Sequence, residues 1–219
     1  MSNYTYWNLW STPLFESFDE KYDEIKNDAI TYCVENHGGK ERSHVASGIK
    51  SELYESDFSF FKNSDNDSIR HIENIMKTTF ENVFLDYFQS GHDQFGIDSS
   101  HEIFSRTYLD IKMEESWIHM SNDKGSWHGT HDHPMTSWAG IYYLKVDEVK
   151  GNGGHNLIRQ PFKNMYKDFG NFFQHEFVVK EVTPENGKMV FFPANILHNA
   201  TPYYGVDTRM VIATNINVY

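Results

Sequence analysis

The sequence predicts an α+β fold that is mainly β, with helices first and an antiparallel sandwich or barrel after them. Two observations predict it. Apolar residues recur at helical spacing only in the first half of the chain, and short strand-like runs broken by Gly and Pro fill the second half. Helices that precede strands, rather than alternate with them, argue against a parallel α/β sheet. A chain of 219 residues is long enough for one substantial domain. We therefore read residues 1–219 as a single domain, with 1–104 a helical support and 105–219 the strand-built core.

Two helices are readable. Ile25, Ala29, Tyr32 and Cys33 form one apolar stripe, which Gly38-Gly39 stops. Ile69, Ile72, Ile75, Met76, Phe80, Val83, Phe84 and Tyr87 form a longer one, with Asp65 or Asp67 as N-cap candidates and Gly91 as its end. Residues 39–61 show no clear period. The expected strands are Trp117–Met120, Thr130–His133, Ala139–Val146, His155–Arg159, Phe177–Val182, Lys188–Phe192 and Thr208–Asn217. Gly151–Gly154 and Pro184–Gly187 read as turns between them. No helix start and no Lys-Ser/Thr follows Gly154, so that run is not a phosphate loop.

Composition excludes several functions. The aromatic share of 16% argues against disorder, and no run approaches the length of a membrane span. The opening MSNYTYWNLW is no secretory signal. The single cysteine, Cys33, falls on a helix's apolar stripe and forms no internal disulfide. A cytoplasmic location is expected. The net charge of −12 reads as solvated helix faces and argues against a duplex nucleic-acid partner. No membrane partner is expected, and a homodimer is compatible with the sequence.

The chemistry lies in HGTHDHP, His128 to Pro134. Side chains alternate along a strand, so His131 and His133 face one way and Asp132 the other. Two imidazoles side by side form a metal clamp awaiting a third ligand, for which His198 is the candidate. His128 is out of phase unless Gly129 bends the chain. Trp127 and Trp138 flank the pair and could wall a pocket, or simply pack. In the last strand Arg209, Val211, Ala213, Asn215 and Asn217 share one face, and Met210, Ile212, Thr214, Ile216 and Val218 the other. The second face should pack on a helix. An arginine on the first needs an anion, and its planar fork suits a carboxylate.

His, His, a distal His and then Arg resemble, in order and spacing, the iron(II)- and 2-oxoglutarate-dependent oxygenases. SWIHMSNDKGSWHGTHDHPMTSWAGIYYL (Ser116–Leu144) and GKMVFFPANILHNATPYYGVDTRMVIATNINVY (Gly187–Tyr219) are similar to a bacterial and phage group of these enzymes. NLWSTPLF (Asn8–Phe15) looks like that group's opening, and IYYL resembles a strand of the prolyl hydroxylases.

The resemblance implies a double-stranded β-helix, or jelly-roll, with the N-terminal helices packed on one sheet. It implies iron(II) on His131, His133 and His198 as the metal and catalytic residues. It implies 2-oxoglutarate as cosubstrate, held by Arg209, Tyr143 and Asn215, with O2 as co-reactant. His128, Trp117 and Trp138 would support the ligands or meet the substrate. The reaction implied is hydroxylation of a C–H, on a protein or peptide side chain such as prolyl or on a small molecule, with release of succinate and CO2. The pattern departs from the family's usual His-x-Asp/Glu, because Thr130 stands where Asp132 would need a histidine. Three histidines also suit zinc. The alternative reading is therefore a cupin-like jelly-roll metal-binding protein without oxygenase activity.

Overall fold

The computed structural model describes residues 12–38, 50–51, 53–90, 100–121, 125–146, 153–159 and 179–219. Two sheets face each other. One has six strands, in the order β1 (Phe15–Phe18), β9 (Lys188–Pro193), β6 (Trp138–Lys145), β11 (Arg209–Val218), β4 (Ile111–Ser121) and β3 (Leu53–Glu55). The other has five: β2 (Lys50–Ser51), β5 (Ser126–His131), β10 (His198–Tyr203), β7 (Asn156–Arg159) and β8 (Val179–Val182). All the strand pairings are antiparallel. This is the α+β jelly-roll layout.

Among the described residues three α-helices accompany the sheets: α1 (Tyr22–His37), the short α2 (Phe60–Asn63) and α3 (Asp67–Ser90). The apolar stripes of α1 and α3 bury Ala29, Cys33, Ile69, Ile72, Met76 and Phe80 against one face of the six-stranded sheet. That face is made by Trp138, Tyr142 and Leu144 of β6 and by Met210, Ile212 and Ile216 of β11, the alternation expected of β11. The opposite face of the same strands carries Ala139, Ile141, Tyr143 and Val211 into a second core between the sheets. Burial pushes the Cys33 thiol up to about 12, as befits a small buried hydrophobe.

The local details differ from expectation in four places. Asn66 caps α3, rather than Asp65 or Asp67: its Oδ1 accepts from the Ile69 N–H at 3.0 Å. The expected Thr130–His133 strand runs instead from Ser126 to His131 and leaves His133 in the following loop. β1 and β10 carry no strand signal, because FESF is too short for a period and HNATPY is polar and contains a proline. Residues 177–178 of the expected Phe177–Val182 strand lie outside the described residues, as do Asn8–Ser11, Gly39, Gly91 and Gly151-Asn152.

Phe80 is the keystone between α3 and the sheet. It is fully buried, with ring centroids 5.4 Å from Trp138 and 5.5 Å from Phe191. Phe80→Ala is expected to lower unfolding stability by about 3–5 kcal/mol, measured by urea denaturation.

Candidate active site

The site is built on the pairing of β5 with β10, which sets His131 directly opposite His198. Opposed residues of an antiparallel pair have Cβ atoms about 5 Å apart, and the two ring centroids stand 4.2 Å apart. His133 reaches the same place from the loop between the sheets. Its backbone N–H donates to Ala194 O at 2.9 Å, and its ring lies parallel to that of His198. One nitrogen from each of the three histidines lies within 4.8 Å of the others, a set that could hold a metal ion.

Hydrogen bonds fix which nitrogen each ring offers. His131 Nδ1 is 2.8 Å from Gly129 O, and His198 Nδ1 is 3.0 Å from Ile196 O. His133 Nδ1 is 2.8 Å from Asn215 Oδ1. Oxygens of this kind only accept, so each Nδ1 carries the hydrogen and each Nε2 carries a lone pair. The Nε2 atoms of His133 and His198 face each other at 3.2 Å. Two lone pairs at that separation call for a cation between them. Protonating the rings is costly here. Burial and then the neighbouring His131 push His198 down to about 3, and burial pushes His133 down as well.

His128 joins the cluster through a β-bulge. From His198 to Ala200 the strand β10 advances two residues, while its partner β5 moves three, from His131 to His128. The extra residue turns His128 to the side of His131. Their rings stack at 4.0 Å, and His128 also meets His119 edge-on. His119, Glu55 and Glu115 were not singled out from the sequence. His119 Nε2 lies 2.5 Å from Glu55 Oε2 and 2.9 Å from Trp117 Nε1, and the Trp117 ring stacks on His133. Trp117 and His119 sit two apart on β4, a parity that could have flagged His119.

A small cavity of about 40 Å3 runs from the histidines between the sheets to Arg209. Ile141, Phe192, Val211 and Ala213 wall it, and Asn156 also faces it. Arg209 is buried, with Nη2 donating to Gly154 O at 2.9 Å and its guanidinium over the Tyr143 ring. Its Nε has no hydrogen-bond partner, and none of the described carboxylates pairs with it. A buried cation with an orphaned donor calls for an anionic partner. Gly154, at φ +74°, allows this close approach: a Cβ there would meet Arg209 Nε at 3.0 Å. Tyr143 is fully buried beneath the guanidinium, and its hydroxyl accepts from Asn156 Nδ2 at 2.9 Å.

Two expected site residues lie elsewhere. Trp138 faces the helices, stacked on Phe15 at 5.3 Å, because β6 alternation turns it away from the cavity. Asn215, expected beside the cosubstrate, bonds His133 and Glu115 instead. Trp127 is half-buried on β5, and Asp132 is exposed. A second, wider cleft of about 370 Å3 adjoins the histidines without reaching Arg209, lined by Glu55, Phe58, Glu115, Trp117 and Pro134 among others.

Residues 115–215 match a family model described as "Putative 2OG-Fe(II) oxygenase". The match covers somewhat less than half of the chain. No curated protein matches the sequence. The fold of the chain is similar to that of a Pseudomonas putida prolyl-4-hydroxylase, at 12% identity and TM-score 0.58, over 94% of this chain and 93% of that one. It is also similar to a Trichoplax adhaerens prolyl hydroxylase solved with a hypoxia inducible factor peptide fragment, at 12% identity and TM-score 0.54, over 94% of this chain and 83% of that one. The epimerase SnoN, solved with Fe3+, alpha ketoglutarate and nogalamycin RO, is 10% identical with TM-score 0.55, over 93% of this chain and 78% of that one. The matched family is one of oxidoreductases that use iron and 2-oxoglutarate, and the histidine set of this chain has the donors for such a metal. Among the described residues, no helix is long and apolar enough to cross a membrane.

The buried histidines set a pH dependence. His198 holds a folded value of about 3 against 6.5 ordinarily, so the unfolded chain binds more protons between these values. Stability of the metal-free protein is therefore expected to fall as pH drops from about 6.5 toward 3. Urea midpoints at neutral and mildly acidic pH measure the slope, and His198→Asn should flatten it. An unflattened slope would mean that His198 does not stay neutral in the folded state.

Proposed function

We propose that the protein is an iron(II)- and 2-oxoglutarate-dependent dioxygenase that hydroxylates a C–H of its substrate. His131, His133 and His198 would hold the metal through their Nε2 atoms. Arg209 would receive the distal carboxylate of 2-oxoglutarate, with Tyr143 beside it. The observation that carries this reading is one cavity with a cation-demanding histidine set at one end and an unsatisfied buried arginine at the other. Bound there, iron and 2-oxoglutarate supply the oxidation: with O2, one C–H becomes C–OH and the keto acid leaves as succinate and CO2.

The chain's own groups would do the rest. The carbonyls of Gly129 and Ile196 and the Asn215 amide fix three imidazoles in their coordinating tautomer. Replacing the family's usual carboxylate by a third imidazole leaves the site one unit more positive, which favours a dianionic cosubstrate. Ile141, Phe192, Val211 and Ala213 exclude water around its chain, which strengthens the Arg209 contact. The wide cleft beside Trp117 and Phe58 would admit the substrate. Its breadth, and the fold shared with an enzyme solved with a peptide fragment, favour a protein or peptide side chain, prolyl among them, over a small molecule. A metal binder without oxygenase activity has no use for the buried Arg209.

His198→Ala is expected to abolish metal binding; a full metal complement in that variant would refute the ligand set. Arg209→Ala should raise the Kd for 2-oxoglutarate about 30-fold or more while sparing the metal, since truncating a buried charge contact costs about 2 kcal/mol or more. Anaerobic calorimetry on the iron-loaded protein measures it, and unchanged affinity would sink the assignment. Iron(II) and 2-oxoglutarate together should give a weak visible charge-transfer band and, in air, slow succinate release without substrate. Absence of both would return the site to simple metal binding.

A further inference from the structure

We propose that Glu115 is a positioning residue for the metal site and acts on His133 through Asn215. The proposal rests on the reading of His133 as a metal ligand. Asn215 on β11 and Glu115 on β4 are directly paired across the sheet. Asn215 Nδ2 donates to Glu115 Oε2 at 2.5 Å, and Asn215 Oδ1 stands 2.8 Å from His133 Nδ1. Thr214 Oγ1 donates to the Glu115 carbonyl at 2.9 Å and anchors its backbone.

The logic is one of donors and acceptors. An amide has two ends, and nothing in Asn215 itself decides which end meets His133. A carboxylate only accepts, so Glu115 selects the Nδ2 end. That leaves Oδ1 for His133, which must then carry its hydrogen on Nδ1 and its lone pair on Nε2. His131 and His198 obtain the same tautomer from backbone carbonyls, which cannot flip. His133 lies in a loop and has a reversible amide instead, so it needs the carboxylate behind it. The negative group missing from the donor set is thus present two hydrogen bonds away. Ligating histidines commonly lean on such a partner, and its loss costs about 10–100-fold in metal affinity.

The test uses Co(II) as the probe, with calorimetry for affinity and its d–d absorption for ligand geometry. Glu115→Gln keeps the shape but allows either amide orientation. It is expected to weaken Co(II) binding about 10-fold or more and to alter the d–d band, with an unchanged urea midpoint. The loss should persist at about 0.5 M salt, where the direct field of a solvent-exposed carboxylate is screened. The double variant Glu115→Gln/Asn215→Asp restores the direction of the relay. The amide introduced on β4 donates to the carboxylate introduced on β11, and that carboxylate accepts from His133. The double variant should recover affinity to within a few-fold of the original protein. Wild-type affinity in Glu115→Gln, a loss that vanishes at high salt, or a double variant no better than the single one would each overturn the proposal. His133→Ala with undiminished Co(II) affinity would instead overturn the ligand reading beneath it.

Discussion

The structure turns on two nitrogen lone pairs held 3.2 Å apart, on His133 and His198. Neither ring can relieve the encounter by changing tautomer, because each has already given its Nδ1 hydrogen to an oxygen. Neither takes up a proton readily, because both are shielded from water. The fold thus gives up stability to keep an electron-rich point between its sheets, which only a cation relieves. At the other end of the same cavity the sign is reversed: Arg209 is an uncompensated cation that only an anion relieves. A molecule bearing a chelating acid at one end and a carboxylate at the other answers both demands.

The two faces of β6 and β11 divide the work. One face, against α1 and α3, is apolar and closely packed, and it gives the molecule a rigid back. The other face and the five-stranded sheet can then hold polar groups in a buried place. β11 shows the division residue by residue. Met210, Ile212 and Ile216 belong to the back, while Arg209, Val211 and Ala213 line the cavity. Asp19, buried between these parts, accepts from Tyr142 Oη at 2.9 Å and faces His71 Nε2, and so ties β6 to α3.

Much of this was legible in the residues. Period-3.6 stripes located α1 and α3, and alternation sorted β11 correctly, because both are local properties of one element. The histidines were also legible, but partly for the wrong reason. Alternation through residue 133 assumed a strand that ends at His131, and His133 arrives by a loop anchored on Ala194. Trp138 was misplaced because neighbours in sequence lie on opposite sides of a sheet. Glu55 and Glu115 were illegible. Their roles depend on which residues of β4 and β11 they face or join across the sheet, and no spacing within one strand encodes that register. Asn66 was missed as a cap because three candidate side chains stand together in Asp65–Asp67 and only the helix's first turn chooses between them.

The bulge between His128 and His131 has a consequence of another kind. In a regular strand, inserting or deleting one residue turns every side chain beyond it to the opposite face. Here a second irregularity, between Ala200 and Tyr203, restores the count: from the His198–His131 pair to the Tyr203–Ser126 pair both strands advance five residues. The displacement is thus confined to the few residues that carry His128, and the cluster gains a fourth imidazole with no change of register in the strand around it.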